Sequence, residues 1–568
     1  MLSQAHLEEI RKIAIKNAMD YGSADEKSVL SKAISKVPAQ DRNVAEIRKA
    51  VEEIVGKINS LSKEELQREY EHYKEGFLEY EKERAQRTSK VNMTLEGVEQ
   101  GEFVTRFPPE PSGYMHIGHA KALFLESEFK RIYNGKLWLY FDDTNAEKEK
   151  QEFVDAFKVD LKWLGVSFDR EYYASDNIET MYRYAEQLID VGGAYACTCD
   201  GEKVKDLRSR GIACEHKGQG ASENMKIWKM MLNREFDENQ VILRFNGKME
   251  SLNTAMRDPT LFRIKKHAHY RQGEKYIVWP TYDFNTPIMD SLNGVTDALR
   301  SKEYELRDEL NYTMLDMLGL RKARIRSFSR FEILGNNTHK RDIRALINEG
   351  KIESYDDPRL VTIAGLRRRG ITPEAIKELV LRSGMSKVES KVGMDVLLAE
   401  NRKAIDADSI RLFAVEDPIE VQVAGGAGHA RLRLHPGKDV GFREYELDGN
   451  FYISKKDIGK EGGEIRLKDL YDIRIMSIDG DVARAQKVEG IKSAKIVQWV
   501  PKQGSVHCSF GYIGELMKEG AFNPQSMRIV DAISEGHVGK LSEGDMVQFE
   551  KIGYFKLDSK AKMLFFSL

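Results

Sequence analysis

The sequence predicts a multi-domain α/β protein: a helical head, a doubly wound parallel sheet interrupted by an insertion, a helical stretch, and antiparallel β-barrels at the end. Three observations carry this expectation. At 568 residues the chain exceeds what one core serves, and roughly three to five domains are expected. Between 102 and 145 a strand, a Pro/Gly loop, a helix and a second strand follow one another, the order of a parallel sheet whose ligands sit at the strand C-termini. From about 413 the pattern becomes short β-rich runs (FAVEDPIEVQV, ARLRLH, AKIVQWV, GYFKLDS) broken by Gly-rich turns, as in barrels.

Taken in order, residues 1–97 read as helical and strongly charged. Ser62 and Glu65 have the spacing of a capping box, and Leu66, Tyr70, Tyr73, Phe77 and Tyr80 form one helical stripe, a packing face. EFVTRF (102–107) is the first strand, PPEPSGYMHIG the loop, and a helix from about 117 to 133 stops at Asn134-Gly135. LWLYF (137–141) is the second strand, ending in Asp142-Asp143-Thr144. Residues 195–261 read as an insertion, and YIVWPTYDFNTP (276–287) as a strand running into a loop. Residues 311–412 return to helical periodicity.

Composition narrows the function classes. No apolar run reaches the ~18 residues of a membrane span, and the first twenty residues lack a secretory core. Four cysteines, three of them clustered, fit a reducing cytoplasm and no disulfide framework. The net charge of −2 is uninformative, but 320–345 holds eight Lys/Arg against two acids. Such a stretch is either a phosphate-attracting patch or a solvated basic face.

His116-Ile117-Gly118-His119 lies where the first loop opens into a helix. Free N–H groups and the helix dipole favour a phosphate there, Gly118 admits a nucleotide, and both imidazoles can donate to it. Cys197, Cys199, Cys214 and His216 offer three soft thiolates and an imidazole. That set suits one tetrahedral, structural Zn²⁺, with scattered thiols in a loop as the competing reading.

RFPPEPSGYMHIGHAKA (106–122) resembles the signature of the glutamyl- and glutaminyl-tRNA synthetases, in the branch found in archaea and eukaryotes. The resemblance continues in LYFDDTN, MRDPTLFRIK, WPTYDF, GVTDALRSKEY, FSR and DDPRLVTIAGLRRRG, and more weakly to the C-terminus, leaving 1–97 outside. It implies a Rossmann-like class I synthetase catalytic domain (98–194 and 262–310), an acceptor-end insertion (195–261), a helical stem-contact domain (311–412) and two anticodon-binding barrels (413–568). The implied activity is ATP- and Mg²⁺-dependent activation of glutamate and its transfer to the 3′-terminal adenosine of tRNA(Glu). Whether tRNA(Gln) is a second acceptor stays open; neither membrane nor DNA is an expected partner.

Carried over residue by residue, the resemblance implies His116 and His119 as catalytic donors, with ATP contacts at Glu110, Pro111, Ser112, Ile117, Gly118 and Arg330. The family's second ATP loop, KMSKS, is degenerate here: Asn337-Thr338-His339-Lys340-Arg341 keeps one lysine. Lys340 is read as catalytic, with Thr338, His339 and Arg341 beside the nucleotide. A better spelling at Gly384-Met385-Ser386-Lys387 is read as a decoy. Arg300 stands where glutaminyl enzymes carry a small uncharged residue, and would face the glutamate γ-carboxylate unless it pairs with a surface acid. Arg106 and Tyr282 match further amino-acid contacts, Asp142 suits the α-ammonium, and Phe262 lacks a hydroxyl that glutaminyl enzymes use. Arg411 matches an anticodon contact. Rival readings are a glutaminyl-tRNA synthetase, a small-molecule nucleotidylyltransferase, and a non-catalytic tRNA-binding relative.

Overall fold

The computed structural model describes residues 3–21, 23–26, 29, 30, 33, 44–62, 65–73, 93–336, 340–489 and 495–568. The chain divides into two compact units, 1–92 and 93–568. In the first, helices α1 (Gln4–Tyr21) and α2 (Val44–Asn59) bury Ile10, Ala14, Ile15, Ile47 and Val51 between them. The capping box forms, with Ser62 N–H donating to Glu65 Oε2 at 2.8 Å and Glu65 N–H to Ser62 Oγ at 3.2 Å. Leu66, Tyr70 and Tyr73 close over this core, so the aromatic stripe is internal packing as far as it is described. Phe77 and Tyr80 lie outside the described residues.

In the second unit β1 (Val104–Phe107), β2 (Lys136–Phe141) and β3 (Arg170–Tyr173) form a parallel sheet, and β8 (Asp297–Ser301) pairs in parallel with β9 (Arg324–Phe328). Thr296 joins the two sets: its N–H donates to Val104 O at 2.8 Å and its hydroxyl accepts from Val104 N–H at 2.9 Å. The order is thus β3-β2-β1-β8-β9, Rossmann-like, with its switch point between β1 and β8. Helix α3 (Ile117–Ile132) follows β1 and buries Ile117, Ala120, Leu123, Phe124 and Phe129. It ends where the sequence predicts, because Asn134 takes a left-handed φ of 47°. A Cβ at Gly135 would lie 2.2 Å from Phe103 O, so only glycine lets the chain turn back into β2.

Between α5 (Ile178–Asp190; α4 is Gln151–Trp163) and β8 the chain builds a four-stranded antiparallel sheet, β4 (Ala194–Cys197), β5 (Ile242–Phe245), β6 (Thr260–Ile264) and β7 (Val278–Pro280). Two helices, α6 (Gly201–Arg210) and α7 (Ala221–Leu232), belong to this insertion. After β7 a loop was expected; instead α8 (Tyr282–Leu292) begins and carries Pro287 inside it. Burial decides here: Phe284, Asn285, Thr286, Ile288, Met289 and Asp290 are all buried, and tertiary packing overrides the Pro/Asn/Thr breaker signals.

Helices α9 (Asp308–Met317), α10 (Lys340–Asn348), α11 (Ile363–Arg369), α12 (Pro373–Leu381) and α13 (Met394–Ile405) make up the helical stretch, with β10 (Phe331–Ile333) pairing β11 (Ser390–Val392). Two seven-stranded sheets follow. They are interleaved: β12 (Ile410–Leu412) and β13 (Ala414–Glu416) join the sheet built from residues after 505, while the long pair β14 (Pro418–Arg433) and β15 (Phe442–Ser454) anchors the other. A small hairpin at 517–522 leaves the last barrel, and Leu516 joins Ile343, Leu346, Ile352 and Leu360 in one buried cluster. Among the described residues no helix is long and apolar enough to cross a membrane.

Candidate active site

A cleft of about 990 Å³ opens at the switch point. Its floor is made by Arg106 on β1 and Arg300 on β8, neighbours across the switch. Arg106 is 1% exposed; its Nε pairs with Asp290 Oδ1 at 2.7 Å and it donates to Leu299 O at 3.1 Å. Burial alone would lower its pKa, but Asp290 outweighs this and raises it. Arg300 pairs with Asp308 and lies 2.9 Å from the Asn311 amide, and its Nε is buried without a partner. Both halves of the sequence reading therefore meet at Arg300: it has an acid partner and it lines the cleft. Tyr282, the first residue of α8, lines the same wall, where burial raises its phenol and the two arginines oppose that shift.

At the end of β2, Asp142 accepts from Asn285 Nδ2 at 2.7 Å and lines the cleft beside Glu110. Burial, then Glu110 and Asp143, push its carboxyl up to about 7. Asp143 points the other way and is held by Ser175 N–H (2.8 Å), Ser175 Oγ (2.7 Å) and Tyr270 OH (2.8 Å).

The expectation of free N–H groups at the start of α3 is corrected. Ile117 N–H donates to Val361 O at 3.0 Å, Gly118 N–H to His116 Nδ1 at 3.1 Å, and His119 N–H to His116 O at 2.9 Å. His119 Nδ1 in turn accepts from His116 N–H at 3.2 Å. Both imidazoles line the cleft, their ring centroids 4.0 Å apart. Burial, with His116 and Lys340 alongside, holds His119 well below the usual imidazole pKa. It is a neutral ring, and with Nδ1 accepting, its proton sits on Nε2.

The motifs scattered along the sequence brace one another. Ile363 N–H donates to Met115 O at 2.9 Å, so the DDPRLVTIAGLRRRG segment supports the HIGH loop. Lys121, fully buried, donates to Ser329 O at 2.7 Å and fixes FSR against α3. Lys340 opens α10, bonds Ser112 Oγ, and lays its stem over Gly113, where a Cβ would lie 2.8 Å from Lys340 Cδ. Burial lowers its pKa. Lys387 does not line the cleft; it is exposed and pairs with Glu305.

Arg330 lines the cleft and pairs with Glu303 at 2.9 Å. Ile117 and Pro111 are buried in the loop's base and Arg341 is exposed on α10, while Thr338 and His339 lie outside the described residues. Phe262 is not in the cleft: it is fully buried among Phe284 (4.6 Å), Trp228 (5.1 Å) and Tyr182 (6.1 Å). Arg411 is 8% exposed, tied to Asp406 and to Ser409 O at 3.0 Å, and so presents no open fork to a nucleic acid. Much of the basic stretch is neutralised internally: Arg324 and Arg326 pair with buried Asp297, and Lys322 with Asp316.

Among the cleft residues not singled out from sequence, Arg263 and Tyr304 sit inside quoted motifs, and Glu149 lies four residues beyond LYFDDTN. Met517, Glu519 and Gly520, from the last barrel, also reach the cleft, and nothing local announces them.

Away from the cleft, Cys197, Cys199, Cys214 and His216 converge, with their ligand atoms within 4.8 Å of one another. Cys197 Sγ lies 3.9 Å from Cys214 Sγ and 3.9 Å from His216 Nδ1, and Cys199 Sγ lies 3.4 Å from that nitrogen. A tetrahedral zinc with bonds of about 2.3 Å to sulfur and about 2.0 Å to nitrogen sets edges of roughly 3.8 and 3.5 Å, so the residues fit the ion.

Comparison with known proteins agrees with this geometry. Residues 102–407 match the family model of the class I (E and Q) tRNA synthetase catalytic domain, and 409–491 and 496–558 match two anticodon-binding domain models of the same family. The chain is 40% identical over 564 residues to a glutamate–tRNA ligase of Nitrosopumilus maritimus, covering 98% of each chain. It is 38% identical over 561 residues to one of Cenarchaeum symbiosum, again covering 98% of each. These matches extend through the helical head that the motif resemblance left out. A solved glutamate tRNA ligase from Elizabethkingia meningosepticum is similar at 18% identity, covering 54% of this chain and 70% of that one, with a TM-score of 0.41. A Rossmann-like core with HIGH-type imidazoles at its switch point, followed by two anticodon-binding domains, places the chain in the class I (E and Q) tRNA synthetase family.

Proposed function

We propose that this chain activates glutamate with ATP and joins it to the 3′-terminal adenosine of tRNA(Glu), with tRNA(Gln) as a second acceptor open to test. The observation that carries the choice of amino acid is the pair Arg106 and Arg300 at adjacent strand ends in one cleft. Two permanent cations favour a γ-carboxylate and leave a γ-amide poorly matched. The relatives named as glutamate–tRNA ligases support the same reading.

In the first step a glutamate carboxylate oxygen attacks the α-phosphorus, the bond to the bridging oxygen breaks, and pyrophosphate leaves. In the second the terminal ribose 2′-hydroxyl takes the acyl group and AMP leaves. No protein nucleophile is required, and catalysis rests on positioning and charge stabilisation. Mg²⁺ arrives with ATP as part of the nucleotide. His116 and His119 act as imidazole donors to phosphate oxygens, Lys340 supplies a cation, and Asp142 takes the α-ammonium. The Cys₃His cluster holds a structural zinc, all four positions being filled by protein. Four cysteines with no disulfide among them suit a cytoplasmic setting.

ATP–pyrophosphate exchange, run with glutamate or glutamine and with or without tRNA, tests this. Glutamate-dependent exchange is expected; a preference for glutamine would promote the glutaminyl reading, and no exchange with either the non-catalytic one.

A further inference from the structure

The insertion sheet contains a buried cation without a carboxylate. Arg244, on β5, is 1% exposed, and among the described residues it forms no ion pair. The carboxylate of neighbouring Asp258 is already taken by Lys217 Nζ (2.7 Å), Tyr195 OH (2.8 Å) and Gly247 N–H (2.9 Å), and Asp258 gives Arg244 a hydrogen bond only through its backbone carbonyl, 2.9 Å from Nε. A guanidinium held out of water with no counter-charge is strongly unfavourable, so something else must balance it. What Arg244 does face is sulfur. Its Nη1 lies 3.8 Å from Cys197 Sγ and 3.7 Å from Cys214 Sγ. Register sets this arrangement: β4 pairs with β5 so that Tyr195 opposes Arg244, two residues from Cys197 on the same face. The Tyr195 ring lies 5.5 Å from the guanidinium and its hydroxyl 3.7 Å from Cys214 Sγ.

We propose that Arg244 is a positioning and charge-balancing residue for the metal–thiolate centre, an assignment that rests on the zinc reading above. Zn²⁺ with three thiolates and a neutral imidazole carries a net charge of −1, by +2 − 3. One guanidinium donating to two of the sulfurs neutralises that charge and makes the thiolates less basic, so that protons compete less well with the metal for them. Thr198 completes the outer layer: its hydroxyl lies 2.9 Å from His216 Nε2 and leaves Nδ1 for the metal. Such partners orient ligands and tune affinity. Arg244 also holds Asp258 O, and Asp258 opens the stretch leading into β6, which carries Arg263 to the cleft. The centre is thereby fastened to the wall of the active site.

The test compares zinc affinity of the full chain and its Arg244→Lys, Arg244→Gln and Arg244→Met variants by chelator competition, together with the sulfur-to-metal charge-transfer band of Co²⁺-substituted protein. Removal of an outer-layer partner weakens metal binding by about 10–100-fold. That loss is expected in the Met and Gln variants, with a shifted cobalt band and partial recovery in the Lys variant. Should the Met variant not fold, the polar Gln variant carries the same comparison. Zinc-loaded wild type alongside a Gln or Met variant with unchanged affinity and an unshifted band would overturn the role of Arg244 while sparing the metal. Wild type purified without chelators and free of zinc would instead overturn the metal reading beneath it.

Discussion

Arg300→Ala tests the amino-acid assignment directly, and its size can be worked out from the surroundings. Arg300 is 7% exposed, shares its guanidinium between Asp308 and Asn311, and keeps a buried Nε unused. Asp308's side chain is 32% exposed, so water screens that pair more than it would screen a carboxylate enclosed in the cleft. Two unit charges ~4 Å apart at an effective dielectric near 20 attract by about 4 kcal/mol. Asp308 already absorbs part of Arg300's charge, so about half, ~2 kcal/mol, is the expected contribution to glutamate binding, at the low end for truncating a buried charge pair. That corresponds to roughly a 30-fold rise in the KM for glutamate, read by pyrophosphate exchange in the presence of tRNA, with kcat little changed and glutamine no worse than before. Asp308→Asn is the informative companion. It frees the guanidinium for the substrate and should lower the KM for glutamate or leave it unaltered. A KM within about threefold of wild type in Arg300→Ala would show that the Arg300–Asp308 pair is scaffold and that γ-carboxylate recognition lies elsewhere.

Lys340→Ala should cut the exchange rate by on the order of 10²–10³-fold, as for a preorganised transition-state donor, while Lys387→Ala stays near wild type; the reverse result would move the ATP loop to 384–387. Because Asp142 sits at about 7 in the free enzyme and an ammonium ligand favours its ionised form, kcat/KM for glutamate should fall on the acid side of that value, approaching roughly tenfold per pH unit. Asp142→Asn should abolish that limb, and a flat profile in wild type between pH 5.5 and 8, roughly the window around this value, would contradict the assignment. Leu516→Ala removes a fully buried side chain and should destabilise the second unit by about 2–5 kcal/mol, measured by the denaturant midpoint; an unchanged midpoint would mean that the hairpin lies loosely on α10.

What was legible in the sequence was local. The loop after β1, the Asn134-Gly135 stop and the capping box at Ser62 depend on residues a few positions apart, and each appears where turn and cap chemistry puts it. The same is true of Cys197, Cys199, Cys214 and His216, close enough in sequence for one insertion to gather them. The misreadings come from distance. Asp297 neutralises Arg324 and Arg326 from 27 and 29 positions away, which no charge count over 320–345 can register. Pro287 marks a loop by propensity, yet α8 is buried along most of its length and continues through it. The first-turn N–H groups of α3 looked available because Val361, more than two hundred positions downstream, could not be seen to claim one of them. Phe262 stands in a cleft-forming motif but points into the core, a choice of face that strand alternation leaves ambiguous when both faces are covered. Arg411 was read from its match to an anticodon-contact position of the family, and β12, which carries it, pairs with β25 (Met546–Phe549; the strands between β15 and it are numbered in chain order), at the far end of the chain.

The hairpin at 517–522 bears on how this protein can be taken apart. The family boundary between catalytic and anticodon-binding regions falls at 407–409, and a gene fragment cut there looks like a natural minimal enzyme. Such a fragment would lack Leu516, exposing the apolar surface of Ile343, Leu346, Ile352 and Leu360, and would lose Met517 N–H from Gly335 O, a 3.0 Å bond immediately ahead of the ATP loop. One wall of its cleft, at Met517, Glu519 and Gly520, would be missing as well. The units of descent and the units of autonomous folding are therefore offset in this chain. Exchanging barrels between relatives to alter tRNA choice would have to carry residues 514–526 as part of the recipient's catalytic half, or redesign the surface of α10 to match the incoming hairpin.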